Sequence, residues 1–352
     1  MRDGSTGRAA RVLPAGCRCA FLVLLLPACR PPERGMAAEI PVDTGSVAEA
    51  IATITPEDFR TRIGVLAHDS LRGRFTPSPG LNSAARYIAR EFASFGLEPG
   101  GDDGTFIQWY PVGTDRGTEA APNVVGIRRG SHPELRDTYI VFSAHMDHMG
   151  VGPPDTSGDS IYNGADDDAS GTSAVIELAQ AFAALTEAPA RSIVFLTVSG
   201  EEGGLFGSQA FVRRGSVPTD RMIANINIDM IGRNSPDTLV VIGLTYSSLG
   251  NRAIGIGQRH PELGLTVVDD PWPREQFFVR SDHYNFARAG VPAVFFFSGV
   301  HEDYHRPSDE LDKIDAGKAA RIARLAFRLG IEVANGAEPP SWTAAGRAAA
   351  RR

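Results

Sequence analysis

Five short stretches of this 352-residue chain carry side chains whose types and spacing could do chemistry together. They are His145-Met146-Asp147-His148, Asp166-Asp167-Asp168, the glycine-flanked pair Glu201-Glu202, Asp229, and Tyr304-His305. Each has a plain reading by itself. A histidine cluster in a loop is commonly surface polarity, and three aspartates before a helix serve its N-terminal dipole and free amides. A Glu-Glu pair between glycines makes a solvated turn, Asp229 a paired core carboxylate, and His305 a surface imidazole. Taken together they read differently. Adjacent carboxylates gathered at a buried sheet edge repel strongly unless cations stand between them. Two imidazoles, two aspartates and one glutamate suit two divalent metal ions when one carboxylate bridges the pair. The three cysteines (Cys17, Cys19, Cys29) all lie near the N-terminus, so the rest of the chain has neither disulfide nor thiolate ligand. An N/O donor set of this kind favours zinc, and cobalt or manganese fit the same ligands.

The elements that must bring these residues together alternate along the chain. Val/Ile/Phe-rich runs predict strands over 106–112, 123–127, 138–143, 192–198, 224–230, 238–242 and 293–297. Helical spacing predicts helices from Thr55-Pro56, over 81–95, 172–185, 208–214, 247–259 and 316–335. Continuous apolar strands between helices indicate a sheet covered on both faces, hence a three-layer α/β/α domain with a mostly parallel, mixed central sheet. The polar stretches fall at the C-terminal ends of predicted strands, where open α/β sheets place their sites. Glu201 and Glu202 cannot both face one side of a regular strand. Gly200, Gly203 and Gly204 permit a turn there, so that one carboxylate binds metal while the other faces its water.

The chain's ends read differently from its middle. Four arginines precede the apolar run 20–26 and the sequence Leu26-Pro27-Ala28-Cys29, which together form a secretory signal over 1–29. The run is too short to span a bilayer, and the stretch up to Cys29 resembles a lipoprotein cleavage box in which that cysteine is lipidated. This predicts an exported protein, periplasmic or secreted, with Cys29 as a membrane tether. Residues 30–50 read as a tether, 51–335 as a single domain, and 336–352 as a disordered tail. The formal charge of −7, with 35 basic and 42 acidic residues, argues against a nucleic-acid partner.

The ordered motifs carry a resemblance. His-x-Asp, Gly-Ala-Asp-Asp-Asp-Ala-Ser-Gly, Gly-Glu-Glu-Gly-Gly-Leu-Phe-Gly-Ser, Asp-Met-Ile-Gly, Ser-Asp-His and Tyr-His-Arg-Pro-Ser-Asp occur in family order over 139–335. In this the chain resembles the co-catalytic di-zinc aminopeptidases, the zinc-peptidase fold shared with secreted bacterial leucine aminopeptidases, glutamate carboxypeptidase, transferrin receptor and glutaminyl cyclase. The resemblance implies Asp166 as the bridging carboxylate, with Glu202 and His305 completing one zinc site and His145 and Asp229 the other. It implies Glu201 as general base, Tyr304 as a donor to the oxyanion and Asp147 as the partner orienting His145. The Asp166–Asp167 peptide would be cis, with Asp167 supporting the ligands. The implied activity is removal of N-terminal residues from peptides. Phe277, Phe278 and Arg280 could line the substrate pocket, with Trp272 and residues 295–297 nearby. Rival readings are a single-zinc glutaminyl-cyclase-like acyltransferase, a carboxypeptidase using Arg274 or Arg280, and an inactive binding protein on the same scaffold. Oligomeric state is not legible in the sequence.

Overall fold

The computed structural model describes residues 43–352. The proposed signal, Cys29 and most of the proposed tether lie outside them. The helices are α1 (Thr44–Ala52), α2 (Pro56–Leu66), α3 (Pro79–Ser94), α4 (Gly171–Ala184), α5 (Phe206–Arg214), α6 (Ser248–Arg259), α7 (His283–Arg288), α8 (Ala316–Asn335) and α9 (Ala344–Ala349). The strands are β1 (Glu98–Pro99), β2 (Ile107–Thr114), β3 (Gly117–Arg128), β4 (Tyr139–His145), β5 (Gly150–Val151), β6 (Ile161–Tyr162), β7 (Ser192–Val198), β8 (Met222–Ile228), β9 (Thr238–Ile242), β10 (Thr266–Val268) and β11 (Ala293–Phe297).

The main sheet runs in the order β1-β3-β7-β4-β8-β11-β9-β10, with β2 on the outer side of β3. Its centre, β7-β4-β8-β11, is parallel, while β3 and β9 join that centre in antiparallel fashion. All seven residues of β4 and of β7 are buried, as expected for strands covered on both faces. Alternation sorts their side chains. Ile140, Phe142, Ile193 and Phe195 face the helical layer that includes α2, α4 and α8. Val141, Val194 and Leu196 face a smaller cluster with Phe211 of α5 and Phe286 of α7. The three-layer mixed α/β architecture is therefore as read from the sequence.

Helix entries follow ordinary capping chemistry. Thr55 accepts the Asp58 N–H ahead of α2, Ser78 the Leu81 N–H ahead of α3, and Asp315 the Lys318 N–H ahead of α8. Two expectations need correction. Residues 44–50, placed in the tether, belong to α1, whose buried Ala50 joins the main core. The segment 336–352 is ordered rather than disordered. Trp342 pairs with Ser247 through a β-bridge and donates from Nε1 to the Gly290 carbonyl, while Ala349 and Ala350 bury against Val240 and Phe278 in a third apolar cluster. Small side chains let this last helix approach closely, so its apolar face is too narrow to announce itself in the sequence.

Candidate metal centre

The site lies beyond the C-terminal edge of the parallel strands. β4 ends at His145, β7 runs into Glu201 and Glu202, and β8 is followed by Asp229. The turn Ala165–Ser170 ahead of α4 and the loop beyond β11 supply Asp167 and His305. His145 Nε2 stands 3.2 Å from Asp167 Oδ1 and 3.6 Å from Asp229 Oδ1. His305 Nε2 stands 3.2 Å from Asp167 Oδ2 and 3.1 Å from Glu202 Oε2. Asp167 thus offers one oxygen to each group of ligands, which is the geometry of a bridging carboxylate.

This moves the bridge by one residue. Asp166, which the resemblance placed there, turns away: its Oδ1 accepts the Gly232 N–H at 2.6 Å and its Oδ2 lies 3.3 Å from His301. The cis peptide joins Asp167 to Asp168, not Asp166 to Asp167. Each of the three aspartates has a separate task. Asp168 accepts the backbone N–H of His145, Gly171 and Met230, tying two ligand-bearing strands to the start of α4. The carboxylate of Asp309 in turn accepts the N–H groups of Asp166 and Asp167, fixing the turn itself. Three like residues in a row give no sequence signal for which one points inward; backbone direction decides it.

The supporting residues are only partly those expected. Asp147 lies beside His145, its Oδ1 3.7 Å from Nδ1, but its carbonyl oxygen is nearer, at 3.2 Å. Its carboxylate accepts the Thr76 hydroxyl and the Glu201 N–H, so it holds the glutamate turn as well as the imidazole. Gly200 enters that turn at φ 71°, and a Cβ there would stand 2.7 Å from the Tyr110 hydroxyl. Two non-glycine residues at the site, Met230 (φ 54°) and the ligand His305 (φ 57°), also adopt left-handed backbone, a strain typical of functional sites. Buried Arg74 bonds to the carbonyls of Leu66, Met146, Asn163 and Gly164, clamping both ligand loops. A polar relay runs behind Asp229: Asn225 donates to Ser143, Ser143 to Asn227, Asn227 to Ser281, and Ser281 to Asp229 at 2.8 Å. Neither Arg74 nor this relay was read from the sequence.

The electrostatics match a cation site. Burial pushes the Glu201 carboxyl well above the usual carboxylate range, and the charges of Asp282, Asp229 and Glu202 add to this against the pull of His145. Burial, with Asp229 beside it, does the same to Asp168, and burial pushes Asp282 up to about 7. Burial would also raise Asp167, but the close imidazoles of His145 and His305, with His148 nearby, hold it well below that range. Divalent cations would draw the raised groups back to their ionised forms. The donor atoms fit such ions. His145, Asp167 and Asp229 form one group whose ligand atoms lie within 4.8 Å of one another, and His148, Asp167 and Glu202 form a second. The buried Glu202 Oε1 and His305 Nε2 have no hydrogen-bond partner among the described residues.

The cleft over these ligands is lined by Phe277, Arg280, Phe295, Phe297, Val300 and Tyr304. The Tyr304 ring stacks on His305 with centroids 3.8 Å apart. Arg280 lies over the Phe277 ring and pairs with Glu275. Phe278, expected in this pocket, faces away and packs edge-on against Tyr246. Of 295–297, the alternating outer pair reaches the cleft while Phe296 enters the main core.

Residues 123–330, which hold every ligand named above, match the model of peptidase family M28. The chain belongs to that family. It is similar to a probable zinc metalloprotease of Pyricularia oryzae, 26% identical over 322 residues, spanning 78% of this chain and 62% of that protein. The chain thus covers about three-fifths of that relative's length. Among solved structures it superposes on the LapA aminopeptidase of Legionella pneumophila with a TM-score of 0.66, 22% identity and coverage of 86% of this chain and 78% of that one. It also superposes on glutaminyl cyclase from Porphyromonas gingivalis, with a TM-score of 0.61, 17% identity and coverage of 78% and 97%. The same fold thus occurs in an aminopeptidase and in a glutaminyl cyclase, and the side chains of the site are what separate such activities.

Proposed function

We propose that this M28 protein is an exported aminopeptidase that hydrolyses the first peptide bond of its substrates with two zinc ions. The carrying observation is Asp167, which directs one oxygen to His145 and Asp229 and the other to Glu202 and His305. Two donor groups sharing one carboxylate support two ions rather than the single zinc of a cyclase-like reading. Bound there, such ions lower the pKa of a water to about 7 and polarise a peptide carbonyl.

The chain's own residues supply the rest. Glu201 takes the proton of the attacking water and returns it to the leaving amine. Its raised proton affinity suits a group that must hold that proton between the two events. Burial and the nearby charges of Asp167 and Glu202 keep the Tyr304 hydroxyl protonated, so it remains a hydrogen-bond donor for the carbonyl oxygen as that atom gains charge. The carboxylates of Glu201 and Asp229 on the cleft wall suit the substrate's free amine. Phe277, Phe295, Phe297 and Val300 suit an apolar first side chain. The leader ahead of Cys29 supports export and lipid anchoring; among the described residues no helix is long and apolar enough to cross a membrane.

The test is a panel of aminoacyl anilides assayed with and without chelator, beside metal content per chain. Chelator-sensitive cleavage, best for apolar residues, and two metals per chain are expected. Preference for charged first residues would end the apolar-pocket reading, and one metal per chain would favour the cyclase.

A further inference from the structure

One imidazole at the centre has no task in the scheme above. His148 closes the His-x-Asp-His stretch and is fully buried. Neither ring nitrogen has a hydrogen-bond partner among the described residues. Its Nδ1 stands 2.9 Å from Glu202 Oε1 and 3.8 Å from Asp167 Oδ2. The short approach to Glu202 does not meet hydrogen-bond geometry. The ring meets His305 edge-on, centroids 5.8 Å apart.

His148 Nδ1 thus forms one donor group with Asp167 and Glu202, and His305 Nε2 reaches the same two carboxylates from the other side. The distances from each imidazole to these carboxylates run from 2.9 to 3.8 Å. Ligands held 2.0–2.1 Å from a tetrahedral zinc are about 3.3 Å apart. These imidazole–carboxylate edges bracket that value. The neighbouring group of His145, Asp167 and Asp229 has three donors. Three protein ligands leave a tetrahedral position open for water, whereas four close it. The ring is oriented by packing: a Cβ on Gly164 would come within 2.5 Å of it, so a glycine is required beneath the imidazole.

We infer that His148 is a fourth protein ligand of the metal site built from Asp167, Glu202 and His305. With this further ligand that site holds its divalent metal more tightly than the three-donor group of His145, Asp167 and Asp229. The inference rests on the metallopeptidase reading and refines which residues hold the second ion.

The test measures metal content and affinity for zinc or cobalt, by elemental analysis and chelator competition, on the full chain. The background is His145→Ala, in which only the four-donor site remains. That variant is expected to hold one ion, and adding His148→Ala is expected to weaken its affinity at least ~100-fold, as loss of a direct ligand exceeds the effect of an outer partner. His148→Asn, whose amide can donate a hydrogen bond but ligates zinc poorly, is expected to be as weak as His148→Ala. Near-wild-type affinity in either variant would overturn the assignment; recovery with Asn alone would make His148 a hydrogen-bonding support for Glu202. Circular dichroism verifies that each variant is folded. A wild-type chain binding no metal would instead defeat the metallopeptidase reading itself, which keeps the two failures distinct.

Discussion

At the scale of single residues, the three adjacent aspartates make the sharpest distinction. Asp167 faces both ligand groups, whereas Asp166 accepts a backbone N–H and touches no ligand. Asp167→Ala is expected to lose both metals, and Asp166→Asn to keep the wild-type metal content, as elemental analysis of the purified variants would show. The opposite result would return the bridge to Asp166. Glu201 should separate chemistry from binding. Glu201→Ala is expected to retain the metals but lose at least ~100-fold in kcat, the scale of a general base; normal turnover would remove Glu201 from that role.

At the scale of elements, the loop carrying His305 is pinned by one carboxylate. Asp303 accepts Arg233 Nη2 at 2.9 Å, and Lys313 Nζ and the Ser308 hydroxyl at 2.7 Å. Burial would raise its pKa, but these donors and the Lys313 charge hold it far below the usual carboxylate range. A carboxylate depressed in the folded state takes up protons more readily when unfolded. Its contribution is therefore complete above about pH 4, the unfolded value, and is lost as pH falls through the folded value. Asp303→Asn is expected to lose about 1–3 kcal/mol at pH 7. Urea unfolding should show a smaller gap from wild type at pH 3, and an equal gap at both pH values would argue against the ion cluster. Arg74 works between elements in a similar way. Arg74→Leu leaves four backbone carbonyls without their donor and is expected to destabilise by at least ~2 kcal/mol.

At the scale of the whole molecule, the buried carboxylates make metal part of the stability of the fold. Chelation is expected to lower Tm by about 5 °C or more, since ions that bind only the folded state stabilise it by mass action. Calorimetry with and without chelator measures this, and an unchanged Tm would mean that the carboxylate cluster needs no cations. The C-terminal segment makes a comparable structural contribution. Deleting 336–352 removes Trp342, Ala349 and Ala350 from the cluster around Phe278 and Tyr246, with an expected loss of ~2 kcal/mol or more from exposed apolar area. A truncated chain as stable as the full one would show that α9 is dispensable.

The long elements and the stretches of chain that meet at the site were legible because they rest on local chemistry. Strands 192–198, 238–242 and 293–297 have the same bounds in the sequence reading and in the structure, since an apolar run between turn residues carries its own boundaries. The types of the ligands were legible too, because clustered carboxylates and imidazoles have few uses without cations. What the sequence left undetermined was direction and docking. Asp166, Asp167 and Asp168 are identical as residues, and only the course of the turn between β6 and α4 decides which one faces the metals. His148 stands openly in a motif, yet its claim to an ion depends on Glu202 and His305 arriving from loops far along the chain. The small-residue faces of α1 and α9 carry too little apolar contrast to be read alone, and become helices with a purpose only when the core supplies a surface to cover.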